Sequence, residues 1–184
     1  TMLAVQPNAE YVKVKVGEEV WIIVKQRVEP VMAELAITKY EIAESMTGKS
    51  LEGTGYDYPL KDLIPKQAEL ETKHQLVHKV IGEDFVDVNT ATGVVHLSPG
   101  NGEDDFWAAQ RRGVPIFAPY DDEVKFTNDA GIFTGVFARE ADALVVEELR
   151  NHNAFVSVKK VKHEYPTCWR SHHKLVWLAR KEYF

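Results

Sequence analysis

The stretch "GVVHLSPGNGEDDF", residues 93–106, decides how this chain is read. It opens as a short apolar run carrying one histidine, His96, turns at Pro99 and Gly100, and then places Glu103, Asp104 and Asp105 in a row where a helical pattern begins. A strand period giving way to a helical period within one short stretch points to an α+β chain rather than an all-β or all-α one. The helical part, "GEDDFWAAQRRG", has acids in its first turn, arginines in its last and Gly113 after it, so that it complements its own dipole and then stops.

Working outward, "YVKVKV" (11–16) alternates strictly and "EVWIIV" (19–24) follows across Gly17, the pattern of a hairpin. Pro30 suits the first turn of a short helix running through "VMAELA", where its missing N–H costs nothing. Residues 40–65 hold "MTGKS" and "EGTGYDYP" and read as irregular strand and loop; "GKS" lacks the upstream glycine of a phosphate-binding loop and reads as a turn. "HQLVHKVI", "DFVDVN" and "TGVVHLS" are three closely spaced strand candidates. A second helix over "AREADALVVEELRNHN" puts Ala141, Leu144, Val145 and Leu149 on one face, and "AFVSVKKVKHEYP" and "KLVWLAR" read as strands after it. The sum is α+β: a barrel-like sheet core of many short strands with a few peripheral helices, forming a single domain over residues 1–184.

At 184 residues and 45% hydrophobic content the chain is long enough to bury one core, and no composition break marks a linker. Both ends lie in strand patterns, which reads as a domain excised from a longer polypeptide. There is no apolar run of membrane-spanning length and no secretory leader pattern. One cysteine, Cys168, allows no internal disulfide and fits a reducing compartment, the cytoplasm. The net charge of −6 argues against a chain that grips nucleic acid by its charge as a whole, but Lys159 to Lys181 carries seven basic residues against one acid, an asymmetry that suits a polyanion at one end. Solvated lysines on edge strands account for the same count.

For chemistry, Asp104 and Asp105 at a helix start project about 100° apart, so a given pocket receives one of them. The helix N–H groups favour the ionised carboxylate, which suits the grip on an ammonium group, although acids in a first turn are also ordinary dipole complementation. His96, ending an apolar strand, is open to the plainer reading of a hydrogen-bonded core or rim residue. Cys168 in "YPTCWRSHH" has His172 and His173 near it in sequence, but one cysteine without a second pair is a poor metal signal, and no third group orients a Cys–His hydrolase pair.

The order "GVVHLSPGNGEDDF", "VPIFAPYDDEVKFTNDAGIFTGV" and "YPTCWRSHHKLVWLARKEYF", with "LAVQPNAEYVKVKV" at the start and "GYDYP" in the middle, resembles the editing domain inserted in isoleucyl-tRNA synthetase, most like the archaeal form. The resemblance runs through nearly the whole chain and implies hydrolysis of the ester that joins valine to the isoleucine tRNA. It implies that Asp105, the second Asp of "GEDD", holds the α-ammonium of the misattached amino acid, and that His96 lines the side-chain pocket and helps keep isoleucine out. Asp104 enters as a substrate-binding neighbour. Water is expected to attack the ester, since no side chain looks like an activated nucleophile. A second site is physically reasonable: one methylene is worth only about 1–3 kcal/mol in an apolar pocket, isoleucine against valine being the standard instance.

Two departures qualify the resemblance. The family has a threonine-rich segment before the position of Thr1, and it often shows Cys-Trp-Arg-Cys where this chain reads "CWRS", so Ser171 stands in a ligand's place. The expectation is no metal and no cofactor in this domain, with ATP and zinc belonging elsewhere in a full synthetase. The expected partners are the valine-charged 3′ end of the isoleucine tRNA and the remainder of the synthetase, with no membrane, the domain itself being monomeric. The competing readings are a non-catalytic tRNA-docking module using the basic stretch, and an editing domain of the valyl or leucyl enzyme; His96 with "GEDD" argues against the latter.

Overall fold

A computed structural model describes residues 1–161 and 164–179 of the protein. The backbone separates into two compact units, Thr1–Asp57 with His74–Leu97, and Tyr58–Lys73 with the chain from Ser98 onward.

The first unit holds the six strands found among the described residues. β1 (Met2–Val5) lies between β5 (Val80–Gly82), which is parallel to it, and β6 (Val94–Leu97), which is antiparallel and sets Leu3 opposite His96. β2 (Glu10–Val16) lies between β3 (Glu19–Val24) and β4 (Glu41–Thr47), both antiparallel to it. The β2–β3 hairpin read from the alternating sequence is therefore present, with Gly17 at φ +60 in its turn. Strand alternation gives β2 two buried faces. Val12 and Val14 join Ile23 and the apolar side of α1 (Val28–Glu34), contributed by Val28, Val31 and Met32. Tyr11 points the other way and packs with Val5, Val24, Leu51 and Val80. Each such fully buried Val or Leu contributes about 1.5–3 kcal/mol of transfer free energy.

Tyr11 also carries the unit's main polar brace. Its hydroxyl donates to Gly93 O at 2.6 Å and accepts from Gln6 N at 3.0 Å, and burial raises its pKa. Gly93, at φ +73, lies where an added Cβ would sit 2.6 Å from Val24, so only glycine admits the chain to β6 at this angle. α2 (Gly48–Leu51) turns the "GKS" sequence into one helical turn after β4.

The second unit is helical and irregular: α3 (Pro65–Lys73), α4 (Glu103–Gln110) and α5 (Ala141–Asn151). Leu60, Ile64, Ala130 and Phe133 form its core, against which Val145 and Leu149 of α5 pack. Leu144, placed by its spacing on that face, is instead 41% exposed. α4 follows its sequence pattern in the acids of its first turn and in Gly113 after it at φ +68, but the arginines lie past its last turn, where Arg112 donates to Ala108 O at 3.1 Å.

The α+β expectation holds, realised as two three-stranded sheets and short helices. Several strand readings do not hold. "HQLVHKVI" is turn up to His78, which sits at φ +57, and only Val80–Gly82 is strand. "DFVDVN" is a pair of turns because Asp87 Oδ1 accepts from Asn89 N and Nδ2 at 2.9 and 3.0 Å, a local bond that competes with a ladder. Residues 154–161 and 175–179 form no strand: the described chain gives them no ladder partner, and the nearest pairing is an isolated Thr167–Lys174 bridge outside both segments. Residues 162, 163 and 180 of these two readings, and Lys162, Arg180 and Lys181 of the seven cations of the basic stretch, lie outside the described residues. α3 went unread, although Pro65 at its first position is a start signal, since it buries only Gln67 and Leu70.

Candidate functional site

β6 carries His96 because a Val-Val-His-Leu run has the β-branched content a half-buried strand needs. Leu97 is fully buried while His96 is exposed on one side. The main-chain nitrogen of Thr1, itself 4% exposed, donates to Leu97 O at 3.0 Å and faces His96 Nε2 at 2.9 Å. The ring's pKa is pushed down to about 4, first by desolvation, with His78 adding to it. Desolvation and an open outer side pull against each other, and the conclusion both permit is that His96 is neutral at pH 7.

Asp104 and Asp105 belong to the second unit, in the first turn of α4. Asp104 is exposed and makes no hydrogen bond among the described residues. Asp105 is half-buried, and its Oδ2 accepts from Ser98 N at 2.8 Å. Its Oδ1 accepts no hydrogen bond among the described residues. The two carboxylates thus face different surroundings, as their 100° separation requires.

The loop between strand and helix supplies what sequence reading missed. Asn101 N donates to Ser98 O at 2.8 Å, Ser98 Oγ bonds Asn101 Oδ1 at 3.1 Å, and Asn101 Nδ2 donates to Trp177 O at 3.1 Å. Ala179 N adds a bond to Gly100 O at 3.0 Å. Between loop and chain lies a cleft of about 350 Å³ lined by Pro99, Gly102, Glu103, Phe106 and Trp177 among others. The Pro-Gly-Asn-Gly composition was a turn signal, but nothing in it showed that the turn holds Asp105 by a main-chain N–H.

Cys168 is half-buried, and hydrogen bonds from Ser171 first, then from the Ser171 and Arg170 main chain, lower its thiol pKa. Among the described residues no three His, Cys, Asp or Glu side chains gather as metal ligands. No helix among the described residues is long and apolar enough to cross a membrane.

The chain is similar to isoleucine–tRNA ligases. It is 38% identical over 186 residues to that of Pyrococcus abyssi, covering 99% of this chain and 17% of the relative. Thermococcus kodakarensis gives 38% with the same coverage, and Thermotoga neapolitana 33% over 183 residues, covering 99% of this chain and 19% of the relative. The chain thus spans about a sixth of the length of the first curated relatives it matches. Among solved structures the fold is similar to that of GlLeuRS-CP1, with TM-score 0.60 and 16% identity over 88% of this chain and 79% of that one. No protein-family model matches the chain.

Proposed function

From the premise that this chain is related over nearly its whole length to one segment of isoleucyl-tRNA synthetase, we propose that it hydrolyses the ester of valyl-tRNA carrying the isoleucine anticodon identity, with valyl-adenylate as a further substrate. The observation that carries the proposal is Asp105, a carboxylate fixed by one oxygen with the other accepting no hydrogen bond among the described residues. Such a group offers a charge-assisted hydrogen bond to an α-ammonium without having to be ordered at the moment of binding. Asp104, more exposed, contributes charge to the same helix end and not the grip itself.

In this reading a water attacks the ester carbonyl while Asp105 holds the amino acid by its ammonium. The new bond joins water oxygen to the carbonyl carbon, and the bond to the terminal ribose oxygen breaks. One proton of the water passes to that ribose oxygen, the other is released to solvent, and the amino acid leaves as its carboxylate. The vicinal ribose hydroxyl and nearby main-chain donors assist the developing oxyanion. His96, neutral at pH 7, serves as an uncharged wall of the side-chain pocket and rejects the extra methylene of isoleucine. The partners are the charged tRNA 3′ end and the rest of the synthetase, the compartment the cytoplasm, and the domain a monomer that needs no metal of its own.

The test is hydrolysis of valyl- against isoleucyl-tRNA, both charged on the isoleucine tRNA. Preferential release of valine supports the proposal. Binding of the tRNA without any deacylation would favour the docking-module alternative, whose support is the run of cations at Lys159, Lys160, Arg170 and Lys174.

A further inference from the structure

The loop before α4 is shaped around the Asp105 carboxylate at one position in particular. Gly102, the N-cap residue of α4, has φ −135 and ψ 140, an extended conformation open to any residue, so backbone freedom does not explain a glycine there. Space does. A Cβ added at Gly102 would lie 2.9 Å from Asp105 Oδ2, 3.0 Å from its Cγ and 3.4 Å from its Cβ. The carboxylate therefore lies back over the glycine, in the position from which Oδ2 accepts the Ser98 N–H at 2.8 Å. Phe106 N closes the same turn onto Gly102 O at 2.9 Å, so the glycine cannot drift away from the side chain it accommodates.

We propose that Gly102 is a positioning residue: with the Ser98 main-chain N–H it commits Oδ2 to the protein and so presents Oδ1 as the oxygen that receives the substrate's ammonium. The inference rests on the proposed role of Asp105 and adds the device that aims it. An alanine at 102 disturbs the flexible tip of one side chain and no packed backbone, so it turns the carboxylate off the Ser98 N–H and leaves the fold in place. Misplacing a gripping group by about 1 Å costs on the order of a hundredfold in the reaction it orients.

The probes are two unreactive analogues, valine amide-linked to 3′-amino-3′-deoxyadenosine and the same compound N-acetylated, which lacks the ammonium. The unaltered chain binds the free amine more tightly than the acetylated form, and Asp105→Ala abolishes that preference. Gly102→Ala is expected to lower the preference by roughly tenfold, with the affinity for the acetylated compound and the thermal midpoint unchanged. A preference fully retained in Gly102→Ala overturns the inference while the role of Asp105 stands. Equal weakening of both analogues overturns it as well, since the loss then comes from the shape of the site and not from the aim of the carboxylate. Absence of any preference in the unaltered chain removes the Asp105 reading, and the inference with it.

Discussion

His96 and Asp105 stand nine positions apart in sequence and are held by opposite means. His96 sits in a regular ladder, opposite Leu3, in a strand whose other side chains are buried or half-buried. Asp105 is held by a single N–H from an irregular loop and by the space a glycine leaves. A ladder fixes where a side chain starts, whereas a loop bond fixes where its functional atoms end. A wall that excludes by bulk needs the first, and a carboxylate that must offer one particular oxygen needs the second.

The largest expected effect breaks the loop-held half. Asp105→Ala should lower deacylation of valyl-tRNA by about a hundredfold, the scale of one charge-assisted hydrogen bond, with the circular dichroism spectrum unchanged. Asp104→Ala should cost far less, and equal losses from both would remove the distinction between them. The strand-held half should fail differently. His96→Ala opens the pocket, so hydrolysis of correctly charged isoleucyl-tRNA should rise by about tenfold, the worth of one methylene, while valyl-tRNA hydrolysis changes little. Loss of valyl-tRNA hydrolysis with no gain on isoleucyl-tRNA would mean that the imidazole takes part in the reaction or the fold.

A fourth substitution tests the ladder itself. Tyr11→Phe removes the hydroxyl that bonds Gly93 O and receives Gln6 N, leaving both buried groups short of a partner. It should cost about 1–3 kcal/mol in urea-unfolding free energy and leave the Asp105-dependent amine preference intact. The smallest effect is in pH. His96 has a folded pKa of about 4 against 6.5 for the free side chain, so between those values the unfolded chain binds more protons. Its contribution is present above pH 6.5 and is lost as pH falls toward 4. The urea midpoint of the unaltered chain should therefore fall more steeply over that window than that of His96→Gln, and parallel curves would show that the imidazole is not held neutral by the fold.

Much of this was legible in order of residues. The β2–β3 hairpin followed from alternation across Gly17, and α4 from its acids, its arginines and Gly113. Failures came where a local bond or a missing neighbour outweighed pattern. Asp87 bonding Asn89 turned a Val-rich run into turns, and the Val-rich residues 154–161 have no described ladder to join. Trp169 at 79% and Val158 at 70% exposure show how far apolar content alone overstates burial there.

By itself the sequence determined the α+β class, the hairpin, the helix that opens on Glu103, Asp104 and Asp105, and the kinship that names those acids and His96 as candidates. These rest on local propensity, period and motif, which are properties of neighbours along the chain. Only the tertiary structure decided that β1 sets Leu3 opposite His96, that Ser98 N rather than solvent holds Asp105 Oδ2, and that a Cβ at Gly102 would crowd the Asp105 carboxylate. Each of those is a contact whose partner is fixed by the path of the folded backbone, and no spacing in the sequence encodes which oxygen of a carboxylate is left to bind.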